Sequence, residues 1–185
     1  MLAAITKLKH RKAAGLDNIS AEEIQAATQR SGLTAVHRLC SMAWKQEQIP
    51  SDWKSAVIIP VHKKKDTLDC SNYTGISPLC HCSKIFSWII LQRIKSRTEE
   101  ILTEALQAGF RTNRSTIDHI FTLRQLAETY DQFGKELYVC YIDFRKAFDS
   151  VRRKGLWKVL RHYGYSEKII YIYILLGYWR MYRHL

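Results

Sequence analysis

At 185 residues the chain can hold one domain with a real core, or an incomplete piece of a larger one. Hydrophobic residues at 46% and charged residues at 25% exclude general disorder. The net charge of +12 favours a polyanionic partner, nucleic acid ahead of a membrane surface, with a merely basic soluble protein as the bland rival.

Residues 1–19 read as a basic opening helix or arm followed by a turn at Gly15-Leu16-Asp17-Asn18. Ser20-Ala21-Glu22-Glu23 is a capping box, because the Ser oxygen can accept from the third amide while Glu23 reaches back; a short helix should follow to about Arg30. Val36, Leu39, Cys40, Ala43 and Trp44 repeat at helical spacing and predict a helix from Thr34 to Gln46, stopped by Ile49-Pro50. Ala56 to Val61 is short, β-branched and strand-like, and Pro60 places it at an edge or a bulge. A charged tip, His62-Lys63-Lys64-Lys65-Asp66, precedes a Cys/Ser/Asn-rich return to Ile76-Ser77-Pro78-Leu79.

Ser83 to Leu102 is expected as a long helix with Ile85, Phe86, Ile89, Ile90 and Ile94 on one side. An irregular segment, Glu104 to Arg114, leads to a helix over Thr116–Gln132 that ends near Gly134. A strand over 137–143 and a helix from Lys154 to His162, with Gly164 just beyond, follow. The tail from Ile169 to Leu185 is rich in Tyr, Trp and Leu, and Gly177-Tyr178-Trp179 interrupts any helical stripe. No repeat or low-complexity linker divides the chain, so one continuous α+β unit is expected.

Five scattered cysteines include no Cys-x-x-Cys pair, and Cys80-His81-Cys82 lacks a matching second half, which argues against zinc. Free buried thiols in a reducing compartment are expected instead. Met1 to Lys12 carries Lys7, Lys9, Arg11 and Lys12 without an apolar core of signal-peptide length, and no stretch reaches the roughly eighteen apolar residues of a membrane span. The expectation is an intracellular protein of nucleus or cytoplasm, not secreted and with no membrane partner.

The most informative segment is Tyr141-Ile142-Asp143-Phe144-Arg145-Lys146-Ala147-Phe148-Asp149-Ser150-Val151. An apolar run from Leu137 to Ile142 delivers a carboxylate at its end, a costly arrangement unless the charge meets a metal or a basic partner. Two-metal phosphoryl transfer needs carboxylates that bridge ions about 4 Å apart on a rigid base. A strand end is such a base, and the Phe144 carbonyl could supply another oxygen. Asp149, past the turn, suits a cap or an ion pair better. On spacing alone, a strand-end Asp that caps a turn stays open as a rival.

Four motifs stand in order: Ile49-Pro50-x-x-Trp53-Lys54, Asn72-Tyr73-x-x-Ile76-Ser77-x-Leu79, Gln107-Ala108-Gly109-Phe110-Arg111-x-x-Arg114-Ser115-Thr116-Ile117-Asp118, and Tyr141 to Val151. Their order and gaps resemble the reverse transcriptase of LINE-type (non-LTR) retrotransposons from about Lys7 to Ile170. The resemblance implies an α+β right-hand polymerase fold, incomplete, with fingers and the N-terminal part of the palm over residues 1–170 and a divergent tail over 171–185. It implies RNA-directed DNA polymerase activity with Mg²⁺, an RNA template, a DNA primer and a dNTP. Asp143 then matches the first catalytic aspartate, a metal ligand together with the Phe144 carbonyl. Phe148 matches the residue under the incoming sugar, which excludes a 2′-hydroxyl. Lys63, Lys64 and Lys65 fall where fingers residues approach the triphosphate or the template, with a solvated hairpin as the rival. Arg111 and Arg114 match a segment beside the template strand, where guanidinium forks suit phosphates; a structural ion pair for one of them is the rival.

The departures are also specific. Thr74-Gly75 stands where the family usually has Arg-Pro, and Lys12-Ala13-Ala14-Gly15-Leu16-Asp17-Asn18-Ile19-Ser20 lacks two prolines and a glycine of the opening signature. The chain has no Asp-Asp pair, and Glu167 is its only carboxylate after Asp149. With one ligand of the required kind two Mg²⁺ ions cannot be held. The expectation is therefore a truncated reverse transcriptase domain inactive as this chain alone. Its rivals are a non-catalytic nucleic-acid-binding remnant and a product without molecular function.

Overall fold

A computed structural model describes residues 1–29, 32–55, 57–64, 66–101, 107–109, 111, 113–144 and 147–178, with the backbone alone for Phe148, Asp149 and Tyr178. In chain order the elements are α1 (Leu2–Thr6), α2 (Ala21–Thr28), α3 (Gly32–Gln46), α4 (Ser51–Lys54), β1 (Ile59–His62), β2 (Tyr73–Ile76), α5 (His81–Ile101), α6 (Thr116–Gln132), α7 (Ala147–Ser150), α8 (Arg153–His162) and α9 (Glu167–Tyr178). Mixed helix with a small antiparallel hairpin fits the α+β class. The chain divides into two compact units, residues 1–94 with 160–185 and residues 95–159.

The first unit holds the core. Ile5, Ile24, Cys40, Ala43, Trp53, Ile85, Phe86, Ile90, Ile172 and Leu176 form one buried cluster, each large side chain contributing about 1.5–3 kcal/mol by its burial. Trp53 and Phe86 pack with ring centroids 5.5 Å apart and planes tilted by 40°. Half-buried Trp44 lies under the Arg93 guanidinium at 4.0 Å and under Lys168 Nζ at 5.1 Å, so basic and aromatic neighbours serve packing here. Lys168 also pairs with Glu47 at 3.1 Å.

Local signals place several elements. The Glu23 amide donates to Ser20 Oγ at 3.1 Å, the Ser20 amide donates to Glu23 at 2.6 Å, and this box starts α2. The same Ser20 amide holds the Glu23 carboxyl below the usual carboxylate range. Gly15 opens the turn that returns the chain to α5. A Cβ there would lie 2.3 Å from the Cys80 nitrogen and 2.6 Å from its Cα, so only glycine fits. β1 pairs with β2 in the register Ile59↔Ile76 to His62↔Tyr73, and Pro60 sits on an exposed edge as its missing N–H requires.

Three expectations are corrected. The tail forms a regular helix at least to Tyr178: Ile170 and Ile172 are fully buried and Leu176 nearly so, and a helix apolar on most sides offers no stripe to read. Residues 179–185 lie outside the described residues. The segment 135–144 has no regular secondary structure, in place of a strand over 137–143. A strand needs a hydrogen-bonding neighbour, and the one sheet among the described residues joins β1 to β2. Finally, all five cysteines are free but Cys70 and Cys140 are exposed, because each sits in a segment with no apolar cover. Burial pushes the Cys40 thiol up to about 12 and the Cys82 thiol up to about 11, which keeps both neutral.

Candidate active site

Asp143 is exposed, at the end of an uncovered stretch, and is not the terminus of a buried strand. Its neighbours Tyr141, Ile142 and Phe144 are 81%, 77% and 74% exposed. The cost of burying an unpaired charge therefore does not arise in this arrangement. In α7, Ser150 Oγ donates to the Ala147 carbonyl at 3.0 Å. Phe148 and Asp149 lie on α7, with their side chains outside the described set.

The basic residues separate by environment. Arg111 Nε donates to Glu99 at 3.1 Å, and the Arg111 side chain is only 8% exposed. That pair ties the irregular segment to the end of α5. Arg114 is exposed, next to the Ser115 cap of α6, and is free of ion pairs among the described residues. Its position is fixed by a second capping box that the sequence reading overlooked. The Ile117 amide donates to Ser115 Oγ at 3.1 Å and the Ser115 amide donates to Asp118 at 3.0 Å. The Ser-x-x-Asp spacing was the available signal. No comparable signal marks Glu99, because its pairing with Arg111 is made by the fold.

In the other unit, Lys63 and Lys64 project into solvent from a loop that orders itself. The Lys63 amide donates to the Asn72 carbonyl at 2.8 Å, Asn72 Nδ2 donates to the Asp66 carbonyl at 2.8 Å, and the Tyr73 hydroxyl donates to the Thr67 carbonyl at 2.8 Å. The Asp69 side chain accepts from the Ser71 amide at 2.8 Å, which holds its carboxyl low. Lys65 lies outside the described residues. Lys63, Lys64 and Asp143 belong to different compact units.

Divalent-metal chemistry requires several hard oxygen ligands in one place. Among the described residues no three His, Cys, Asp or Glu side chains gather. The described residues therefore do not fit a two-metal centre. No helix among them is long and apolar enough to cross a membrane.

The sequence profile described as "Reverse transcriptase (RNA-dependent DNA polymerase)" matches residues 61–184. The chain belongs to the reverse transcriptase family. Its relatives are retrotransposon proteins of the LINE type. It is 28% identical over 167 residues to the "Transposon TX1 uncharacterized 149 kDa protein" of Xenopus laevis, covering 90% of this chain and 13% of that protein. It is 28% identical over 159 residues to the "Probable RNA-directed DNA polymerase from transposon BS" of Drosophila melanogaster, covering 84% of this chain and 17% of that one. The jockey "RNA-directed DNA polymerase" of Drosophila funebris is 30% identical over 158 residues, again with 17% of its length covered. The chain thus spans less than a fifth of the length of these relatives.

Proposed function

We propose that the chain is the fingers and first part of the palm of a non-LTR reverse transcriptase, which grips nucleic acid and nucleotide but does not polymerise alone. The observation that carries this reading is the family match over 61–184, which takes in the hairpin lysines, the Arg111–Arg114 segment and the Asp143 motif. In this reading Lys63, Lys64 and Lys65 meet phosphates of nucleotide or template. Arg114 contacts the template backbone while Arg111 anchors the segment through Glu99, and Phe148 selects the sugar. In this reading Asp143 with the Phe144 carbonyl is the family's metal-binding position, while among the described residues no group of three His, Cys, Asp or Glu side chains gathers to complete a metal site. RNA template, DNA primer and dNTP are the substrates implied.

Primer extension on the 185-residue chain tests the reading, with Asp143→Ala as control. No template-dependent synthesis is expected from either protein. Synthesis by the wild type that disappears in Asp143→Ala would overturn the claim that the chain does not polymerise alone. A second reading, a non-catalytic nucleic-acid-binding protein, is favoured by the net charge of +12. Binding that ignores salt would remove it.

A further inference from the structure

The first unit contains a recess that none of the roles above uses, lined by residues of α3 and α5 together with Met1. Its volume is about 320 Å³. Small-molecule pockets start at roughly that size, about 300 Å³. Cys40, Phe86 and Ile90 form the floor at 4%, 2% and 1% exposure, and half-buried Ile89 extends it. These groups offer a ligand packing surface, with no charge and no strong hydrogen bond. The polar part of the lining is organised around Trp44, which carries two cations of different standing. Lys168 Nζ lies 5.1 Å from the ring centroid and is neutralised by Glu47 at 3.1 Å. The Arg93 guanidinium lies 4.0 Å from the same centroid and makes no ion pair among the described residues. Stacking uses the flat face of the guanidinium and leaves its N–H edge, a rigid fork whose geometry matches a carboxylate. No Asp or Glu lines the recess. His37 and Ser41, one turn apart on α3 with 3.5 Å between Nε2 and Oγ, add neutral polar groups beside it.

The two parts of the lining restrict the occupant. A polar body on this floor would lose its hydrogen bonds to water and gain none, so a sugar or a bare inorganic anion is a poor match. A wholly neutral apolar molecule would leave the Arg93 fork without an anion. A dry cavity of about 150 Å³ holds one benzene ring, so the volume here suits a body of about two rings. We propose that this recess binds a small organic carboxylate with a flat apolar body, the carboxylate on the Arg93 edge and the body on Cys40, Phe86 and Ile90. Such a ligand is neither template nor nucleotide, and the site stands whether or not the polymerase reading does.

The test uses the whole 185-residue chain with two probes, 2-naphthoate and its neutral isostere 2-naphthamide, titrated by calorimetry. Naphthoate should bind at least about tenfold more tightly than the amide, the increment expected of hydrogen bonds to a charged group. Arg93→Gln should remove that preference. Arg38→Gln deletes the same charge from an exposed position of α3 outside the recess and should keep it. Arg93 packs on Trp44, so a second variant guards against a folding defect. Ser41→Phe places a ring in the recess from a half-buried position, leaves Arg93 in place and should abolish binding of naphthoate. Failure of the wild type to bind naphthoate, equal affinity for acid and amide, equal effects of Arg93→Gln and Arg38→Gln, or undiminished binding by Ser41→Phe would each overturn the site. Neither template nor primer enters this assay, so failure here and failure of the polymerase reading give different results.

Discussion

Gly15→Ala should destabilise the first unit through one identifiable collision. The added Cβ would stand 2.3 Å from the Cys80 nitrogen, 2.6 Å from its Cα and 2.8 Å from the Leu79 carbonyl carbon. All three are backbone atoms at the start of α5, beside fully buried Cys80 and His81, so no side chain can swing aside. Restoring ordinary contact requires the turn and the helix start to separate by about 1 Å, and overpacking of that kind costs about 3 kcal/mol. Urea unfolding followed by tryptophan fluorescence measures it. With a slope of about 2 kcal/mol/M the midpoint should drop by about 1.5 M. Gly75→Ala is the matched control. Its Cβ would meet only Ile58 Cγ2, at 2.8 Å, the end of a side chain that can rotate, so a loss under about 1 kcal/mol is expected. A Gly15→Ala midpoint within 0.3 M of wild type, by the order-of-magnitude slope used above, would refute the close-approach argument.

Three further outcomes follow from the geometry. Arg111→Gln should lower stability by about 1–3 kcal/mol, since it removes the largely buried Arg111–Glu99 ion pair, while Arg114→Gln should leave stability unchanged and weaken single-strand binding; the reverse pattern would contradict the division of roles. Stability should fall as pH rises above about 9: folded Cys40 and Cys82 keep their protons to about 12 and about 11, whereas the unfolded thiols ionise from about 9, so only the unfolded state gains from added base. Urea titrations at pH 7.5 and 10, repeated on Cys40→Ala, read this, and a slope that Cys40→Ala leaves untouched would count against it. Amide hydrogen exchange should be faster in α6, which has no buried residue, than in α5, which buries Ile85, Phe86 and Ile90; equal protection would be inconsistent with the exposures.

What the sequence made legible was mostly local. The end of α6 follows from the Gly134 that terminates it, and the structure gives Thr116–Gln132. Ser20 and Glu23 start α2 as a capping box, and Pro60 with the lysine run marks a hairpin whose register is set by an edge strand. The α9 helix was hidden because Ile170, Ile172 and Leu176 are surrounded by other apolar residues, so composition masked period. The Arg111–Glu99 pair was hidden because it joins positions twelve residues apart, at a distance that only the folded backbone determines. Family membership was legible since motif order is a property of the covalent chain; a metal centre is not, since it depends on acids that several segments bring together.

The Asp143 segment shows where that distinction bites. Leu137 to Ile142 has the composition of a strand covered on both faces, yet Tyr138, Tyr141 and Ile142 are 87%, 81% and 77% exposed. The same holds for α6, where Ile117, Ile120 and Phe121 are 70%, 66% and 61% exposed. Each such side chain forgoes about 1.5–3 kcal/mol of burial that its residue type is suited to provide. Local pattern and local environment therefore disagree along these two segments and agree in the core of the other unit, where Trp53, Phe86 and Ile90 are all covered. A carboxylate gains catalytic character from rigid, water-excluding surroundings that fix its position within a fraction of an ångström. The uncovered run before Asp143 provides no such surroundings among the described residues, and the proposal that the chain does not polymerise alone rests on that exposure together with the primer-extension test.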